Sequence, residues 1–171
     1  MKKIAIIVFL LFCASGLKAQ DLYQKTTLVK TGDRMPAFTV EMLDGKTLAS
    51  EQLAGKVVLI NFWATWCPYC IQELNHINGG GLGRQMRNPD FVFLPVSRGE
   101  SRETVSAFVA KRGYTFPVAI DSDEKMWNLF ATRAIPRNFV VDKSGVVVFT
   151  GAGYSAQDFQ QVKKAVDKAL E

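Results

Sequence analysis

Apolar residues follow three rhythms along this chain. The first is a block of almost nothing but apolar and small residues from Ile4 to Leu17, behind the basic start Met1-Lys2-Lys3. A helix of that length reaches about 21 Å, short of the roughly 30 Å hydrocarbon core of a bilayer. The block therefore reads as a cleavable export signal, with Leu17-Lys18-Ala19 as its processing site and the cut between Ala19 and Gln20. An uncleaved anchor facing out of the cytoplasm is the alternative. Cys13 lies inside the block; bulky Phe12 stands where lipoprotein processing wants a small residue, so Cys13 reads as one more apolar position.

The second rhythm is that of strands. Lys56 to Trp63 (KVVLINFW) is nearly continuous in apolar residues, as expected of a strand buried on both faces. Phe91 to Val96 and the shorter Phe116 to Ile120 read the same way. Phe38 to Met42 and the stretch around Thr47 flank Asp44-Gly45, a hairpin signal. A second hairpin joins Asn138–Val141 to Val146–Thr150 through Asp142-Lys143-Ser144-Gly145.

The third rhythm is helical. Pro68 suits a first helical position. Ser101 can cap a helix with Val105, Phe108 and Val109 on one stripe, stopped by Gly113. Asp121 with Glu124 forms a capping-box pattern for a helix through Phe130. Ser155 with Asp158 opens the last helix, whose apolar face is Phe159, Val162, Val166 and Ala169.

The order of elements predicts an α/β fold: a mixed central sheet flanked by helices, with an N-terminal β-hairpin and a central strand–helix insert. The expected organisation is a signal peptide over 1–19, a polar lead-in over 20–30, and one domain over 31–171.

Charge then changes the picture. The chain has 171 residues and a net charge of +5. Lys2, Lys3 and Lys18 leave with the signal, which lowers the charge to +2 and removes any case for a nucleic-acid partner. Of three cysteines, Cys13 leaves too, so Cys67 and Cys70 remain. Outside the cytoplasm such thiols can oxidise and persist as a disulfide.

Trp66-Cys67-Pro68-Tyr69-Cys70 falls where a buried strand turns into a helix. Cys67 would sit at the helix N-cap, where free backbone N–H groups and the positive end of the dipole favour a thiolate. Its pKa is expected below the free value of about 8.5. Cys70, one turn on, would be more buried and more protonated. One sulfur can attack a partner's disulfide and the other resolve the mixed disulfide. Zinc would need about four ligands, and beyond this pair the mature chain offers a single histidine, His76. A c-type haem needs His after the second Cys, where Ile71 stands. A purely structural bridge would close too small a loop to stabilise much.

KVVLINFWATWCPYC resembles the active-site strand and turn of the thioredoxin superfamily, and the chain from about Thr31 to Glu171 resembles its exported TlpA/ResA-type thiol–disulfide oxidoreductases. The likeness extends to Gly32-Asp33-Arg34-Met35-Pro36-Ala37-Phe38, to Leu43-Asp44-Gly45-Lys46, and to Arg133-Ala134-Ile135-Pro136-Arg137-Asn138-Phe139-Val140-Val141-Asp142. It implies that Pro136 is cis and faces the cysteine pair, leaving the backbone of Ile135 open to an incoming peptide. It also implies that Glu73, three residues after Cys70, accepts a proton from Cys70. Asn61 takes the place where thioredoxin itself carries a buried acid. Trp66 is expected to form an apolar collar around the site, and Pro68 and Tyr69 to tune its potential. Trp63 reads as core and His76 as an exposed helix residue. Gly79-Gly80-Gly81-Leu82-Gly83 departs from the family pattern, so the active-site helix is expected to end near Asn78, followed by a mobile connection.

The expectation is an exported thiol–disulfide oxidoreductase, working as a reductant, with no metal or organic cofactor beyond the Cys67–Cys70 couple. Its partners would be protein thiols and disulfides and an upstream redox protein. A monomer is expected, in contact with a membrane only if the N-terminal segment stays uncleaved. The alternatives are a peroxiredoxin-like peroxide reductase, although Ala64 stands where that branch carries Thr or Ser, and a non-enzymatic binding module or chaperone.

Overall fold

The computed structural model describes residues 23–171. The expected signal peptide, Cys13 and the first residues of the lead-in lie outside the described residues. Strand β3 (Val57–Trp63) is buried at every position and lies in the interior of a seven-stranded sheet, with four strands on one side of it and two on the other. On one side it pairs in parallel with β4 (Phe91–Arg98), on the other antiparallel with β6 (Arg137–Val141). Beyond β4 come β5 (Ala119–Asp121), then the hairpin β1 (Thr39–Met42) and β2 (Thr47–Ala49). Strand β7 (Val147–Ala152) closes the other edge against β6.

Alternation along β3 splits the core. Val57, Leu59 and Trp63 pack with α1 (Pro68–His76), α2 (Arg102–Arg112) and α4 (Ala156–Leu170), through Leu74, Val105, Phe159, Val162 and Val166. Val58, Ile60 and Phe62 face the opposite layer, with the short α3 (Trp127–Phe130), Phe139 and Phe38. Asn61 belongs by this alternation to the α1 face, a polar residue in an otherwise apolar row.

The caps of α2 and α4 are as predicted, on Ser101 and Ser155. Three local expectations are corrected. The strand expected at Phe116–Ile120 begins at Ala119, because Pro117 has no N–H for a ladder, and Phe116 packs instead against Phe93 and Tyr114. Asp121 does cap the next helix, but from further away: its carboxylate accepts from Met126 N–H (3.1 Å) and Trp127 N–H (2.7 Å). Glu124 takes φ 58 in the intervening turn and pairs with Arg98 at 2.6 Å, so it makes no capping box.

The glycine run is the third correction. Regular helix stops at His76, near the expected place, and widens into a π-type turn over Ile77–Gly81, with Gly80 at φ 101. The following chain is packed rather than loose: Leu82 is fully buried and Gln85 Nε2 donates to Asp167 Oδ1 at 2.7 Å. Gly81 is required by close approach, since a Cβ there would lie 2.4 Å from the His76 ring. His76 is half-buried, its Nδ1 2.8 Å from the Tyr154 hydroxyl, and not the exposed residue expected.

The described part of the lead-in packs onto the domain. Thr27 bridges to Ala131, Leu28 N–H donates to the Phe130 carbonyl (2.9 Å), and Val29 enters the core. The described part of 20–30 is built into the fold.

Candidate active site

Cys67 is the N-cap of α1, and its Sγ accepts the N–H of Cys70 at 3.2 Å. Pro68 follows at the first helical position, where the missing N–H costs nothing. The two sulfurs are joined in a disulfide across Cα atoms 5.3 Å apart. Cys70 is fully enclosed and Cys67 is 4% exposed. The adjoining aromatics are open to solvent, Trp66 at 65% and Tyr69 at 60%. The Ile135–Pro136 peptide is cis, and the Ile135 carbonyl oxygen lies 3.7 Å from Cys67 Sγ. The turn before Cys67 is fixed from the other side: the Glu100 carboxylate accepts from Thr65 N–H (2.8 Å), from the Thr65 hydroxyl, and from the Ser97 hydroxyl (2.9 Å). The predicted residues Trp66, Cys67, Pro68, Tyr69 and Cys70 are therefore gathered around one helix start, with Ile135 against Cys67.

Glu73, one turn past Cys70, is buried beneath the site. Oε1 accepts from Asn138 Nδ2 at 2.7 Å and Oε2 from Asn61 Nδ2 at 2.8 Å. Asn61 Nδ2 also reaches Asn138 Oδ1 at 2.8 Å, because the two residues are directly paired across β3 and β6. Burial pushes the Glu73 carboxyl up to about 7, against the two amide hydrogen bonds, which favour the charged form. A cleft of about 240 Å³ between β7 and α4 reaches Glu73 and Asn138, past Tyr23, Thr150 and Phe159. A carboxylate poised between its two protonation states, with a route to solvent, can accept and release a proton near neutrality.

Sequence reasoning missed Asn138, Glu100 and Arg137. Asn138 had a readable signal, since it interrupts an apolar strand as Asn61 does. Glu100 had none, because its partners Ser97 and Thr65 are brought to it by the fold. Arg137 is fully buried, with its guanidinium bound to Thr26, Thr27 and the carbonyls of Arg133 and Ala134. Among the described residues no cluster of three or more His, Cys, Asp or Glu side chains is arranged to hold a metal.

A mixed sheet with a Cys-x-x-Cys helix start facing a cis-proline defines a thioredoxin-like protein of the thiol–disulfide oxidoreductase class. Within that class, the chain belongs to the Redoxin family, which it matches over residues 30–169. It is 32% identical over 154 residues to the thiol-disulfide oxidoreductase ResA of Bacillus thuringiensis, covering 86% of this chain and 88% of that one. It is 30% identical over 159 residues to ResA of Geobacillus thermodenitrificans, covering 91% and 90%. A Bacteroides thetaiotaomicron protein proposed to be a disulfide isomerase superposes with a TM-score of 0.79 at 29% identity, over 85% of this chain and 92% of that one. A thiol:disulfide interchange protein of Chlorobium tepidum does so at 0.66 and 28%, over 80% and 98%.

Proposed function

We propose that this protein is an exported dithiol reductant of partner-protein disulfides. In the reduced state the Cys67 thiolate attacks a partner disulfide, forming one S–S bond and releasing one partner sulfur, which takes up a proton. Cys70 then gives its proton toward Glu73 and attacks Cys67 Sγ. The second partner sulfur leaves, the partner has gained two electrons, and the Cys67–Cys70 disulfide is restored. An upstream thiol protein reduces the couple again. Trp66, Tyr69 and the Ile135–Pro136 backbone form the docking rim, and Pro68 fixes the start of the helix. The acting unit is the domain over 31–171 together with the lead-in packed onto it, freed from a signal peptide at 1–19 or held outside by it. Among the described residues no helix is long and apolar enough to cross a membrane.

The observation that carries this reading is the buried Glu73, one turn from Cys70 and held near neutrality. A structural disulfide has no use for a titrating carboxyl beneath it. The relatives named thiol-disulfide oxidoreductases support the same chemistry. The peroxide-reductase alternative gains no support at Ala64, which is buried and brings no hydroxyl to Cys67.

The test is insulin reduction by the full chain with dithiothreitol as donor, together with trapping by Cys70→Ala. Turnover and an accumulating Cys67 mixed disulfide are expected. A protein that forms no mixed disulfide and leaves insulin oxidised would be a binding module or chaperone instead. A couple potential near −270 mV supports the reductant direction; one near −120 mV would reverse it.

A further inference from the structure

A fully buried arginine lies directly after the cis-proline. Arg137 Nε donates to the carbonyls of Arg133 (3.1 Å) and Ala134 (3.3 Å), and one terminal nitrogen bonds the Arg133 carbonyl again at 3.0 Å. The two terminal nitrogens reach the hydroxyls of Thr27 at 2.6 Å and Thr26 at 2.8 Å. The Tyr23 ring covers the guanidinium at 4.7 Å, and its own hydroxyl donates to Thr150 on β7 at 2.7 Å. No carboxylate among the described residues forms an ion pair with Arg137. The guanidinium bonds only neutral oxygens among the described residues and lies against an aromatic face.

Burying a cation without a counter-ion is expensive, so the site must need what only this side chain supplies. A planar fork of five N–H donors can hold two consecutive carbonyls and two separate hydroxyls at once; an ammonium cannot. The carbonyls it holds belong to the two residues before Ile135. Ala134 sits at φ 65, a left-handed conformation that is strained for a non-glycine residue and persists only where neighbours impose it. Further backbone contacts bracket the same loop: Thr132 N–H donates to the Thr26 carbonyl at 3.0 Å, and Gly153 N–H to the Pro136 carbonyl at 2.9 Å.

We propose that Arg137 is a positioning residue for substrate docking. It fastens the 133–136 loop to the segment 23–27, and so fixes the Ile135 backbone against Cys67. The stretch leading out of the export signal is then a working part of the active site rather than a tether. The proposal rests on the exchange reading above for its effect on turnover.

The test compares wild type with Arg137→Lys and with Thr26→Val/Thr27→Val. Three readouts are taken: amide hydrogen exchange of residues 131–137, alkylation of reduced Cys67 by iodoacetamide, and kcat/KM for a disulfide-linked peptide. In both variants the loop amides should exchange faster while β3 keeps its protection. Alkylation, which needs no docked peptide, should stay within about twofold, and kcat/KM should fall about tenfold, chiefly through KM. Unchanged loop protection would overturn the proposal. So would a parallel loss of loop protection, β3 protection and alkylation, which would mean that Arg137 merely holds the domain together. If wild type alkylates but exchanges with no peptide, the redox reading fails, while the loop amides still decide whether Arg137 fixes the loop.

Discussion

Glu73 Oε1 and Asn138 Nδ2 meet at 2.7 Å in the interior, joining the helix that carries the cysteines to the strand that follows the cis-proline. The contact couples the protonation of one carboxyl to two parts of the site. Burial raises the Glu73 pKa, and the amides of Asn138 and Asn61 restrain that rise, so it rests at about 7.

Glu73 should make stability depend on pH in a particular direction. Its folded pKa lies above the ordinary 4.5, so the folded state holds the proton more tightly than the unfolded state. The stabilisation is complete below about 4.5 and is lost as pH rises through about 7. The shift corresponds to about 3 kcal/mol. Glu73→Gln should flatten that slope, as read from urea midpoints between pH 4 and 8. The same variant should slow resolution of the mixed disulfide about 100-fold and remove its rise with pH. A slope that survives the substitution would point to another group.

Asn138→Val removes a hydrogen bond that favours the charged carboxylate. The Glu73 midpoint should then move above 7, carrying the pH profile of resolution with it. Stopped-flow kinetics on a preformed mixed disulfide would read the shift, and an unmoved or lowered midpoint would contradict the arrangement.

Trp66→Ala should separate docking from folding. The ring is largely in solvent, so stability should change by less than about 0.5 kcal/mol. KM for peptide disulfides should rise severalfold while reduction of small disulfides is unaffected. Equal effects on both substrates would remove Trp66 from the docking rim.

Glu100→Ala leaves the Thr65 N–H and two hydroxyls without their acceptor. Unfolding in urea should show a loss of about 2 kcal/mol, with Glu100→Gln intermediate because its amide oxygen can still accept. A variant as stable as wild type would show that water replaces the carboxylate.

The sequence by itself determined the features whose causes lie within a few residues. An apolar run of strand length marks β3, Pro68 marks the start of α1, and Ser101 and Ser155 mark helix caps, because capping and burial patterns act over one or two turns. The cysteine pair was legible for the same reason, since Cys67 and Cys70 share the helix turn that gives them their chemistry. The π-type turn at Ile77–Gly81 was legible only in part: glycine signalled the end of regular helix, but not the His76 ring that excludes a Cβ at Gly81.

The tertiary structure alone decided which distant groups meet. Asn61 faces Asn138 because β3 and β6 pair antiparallel in one register, and a slip of β6 by one residue would turn the Asn138 amide away from Glu73. Thr65 reaches Glu100, and Arg137 reaches Thr26 and Thr27, across gaps that no local pattern encodes. Local sequence sets which conformation a segment prefers; the titrating carboxyl and the anchored loop depend on sheet order, which is fixed only when the whole core closes.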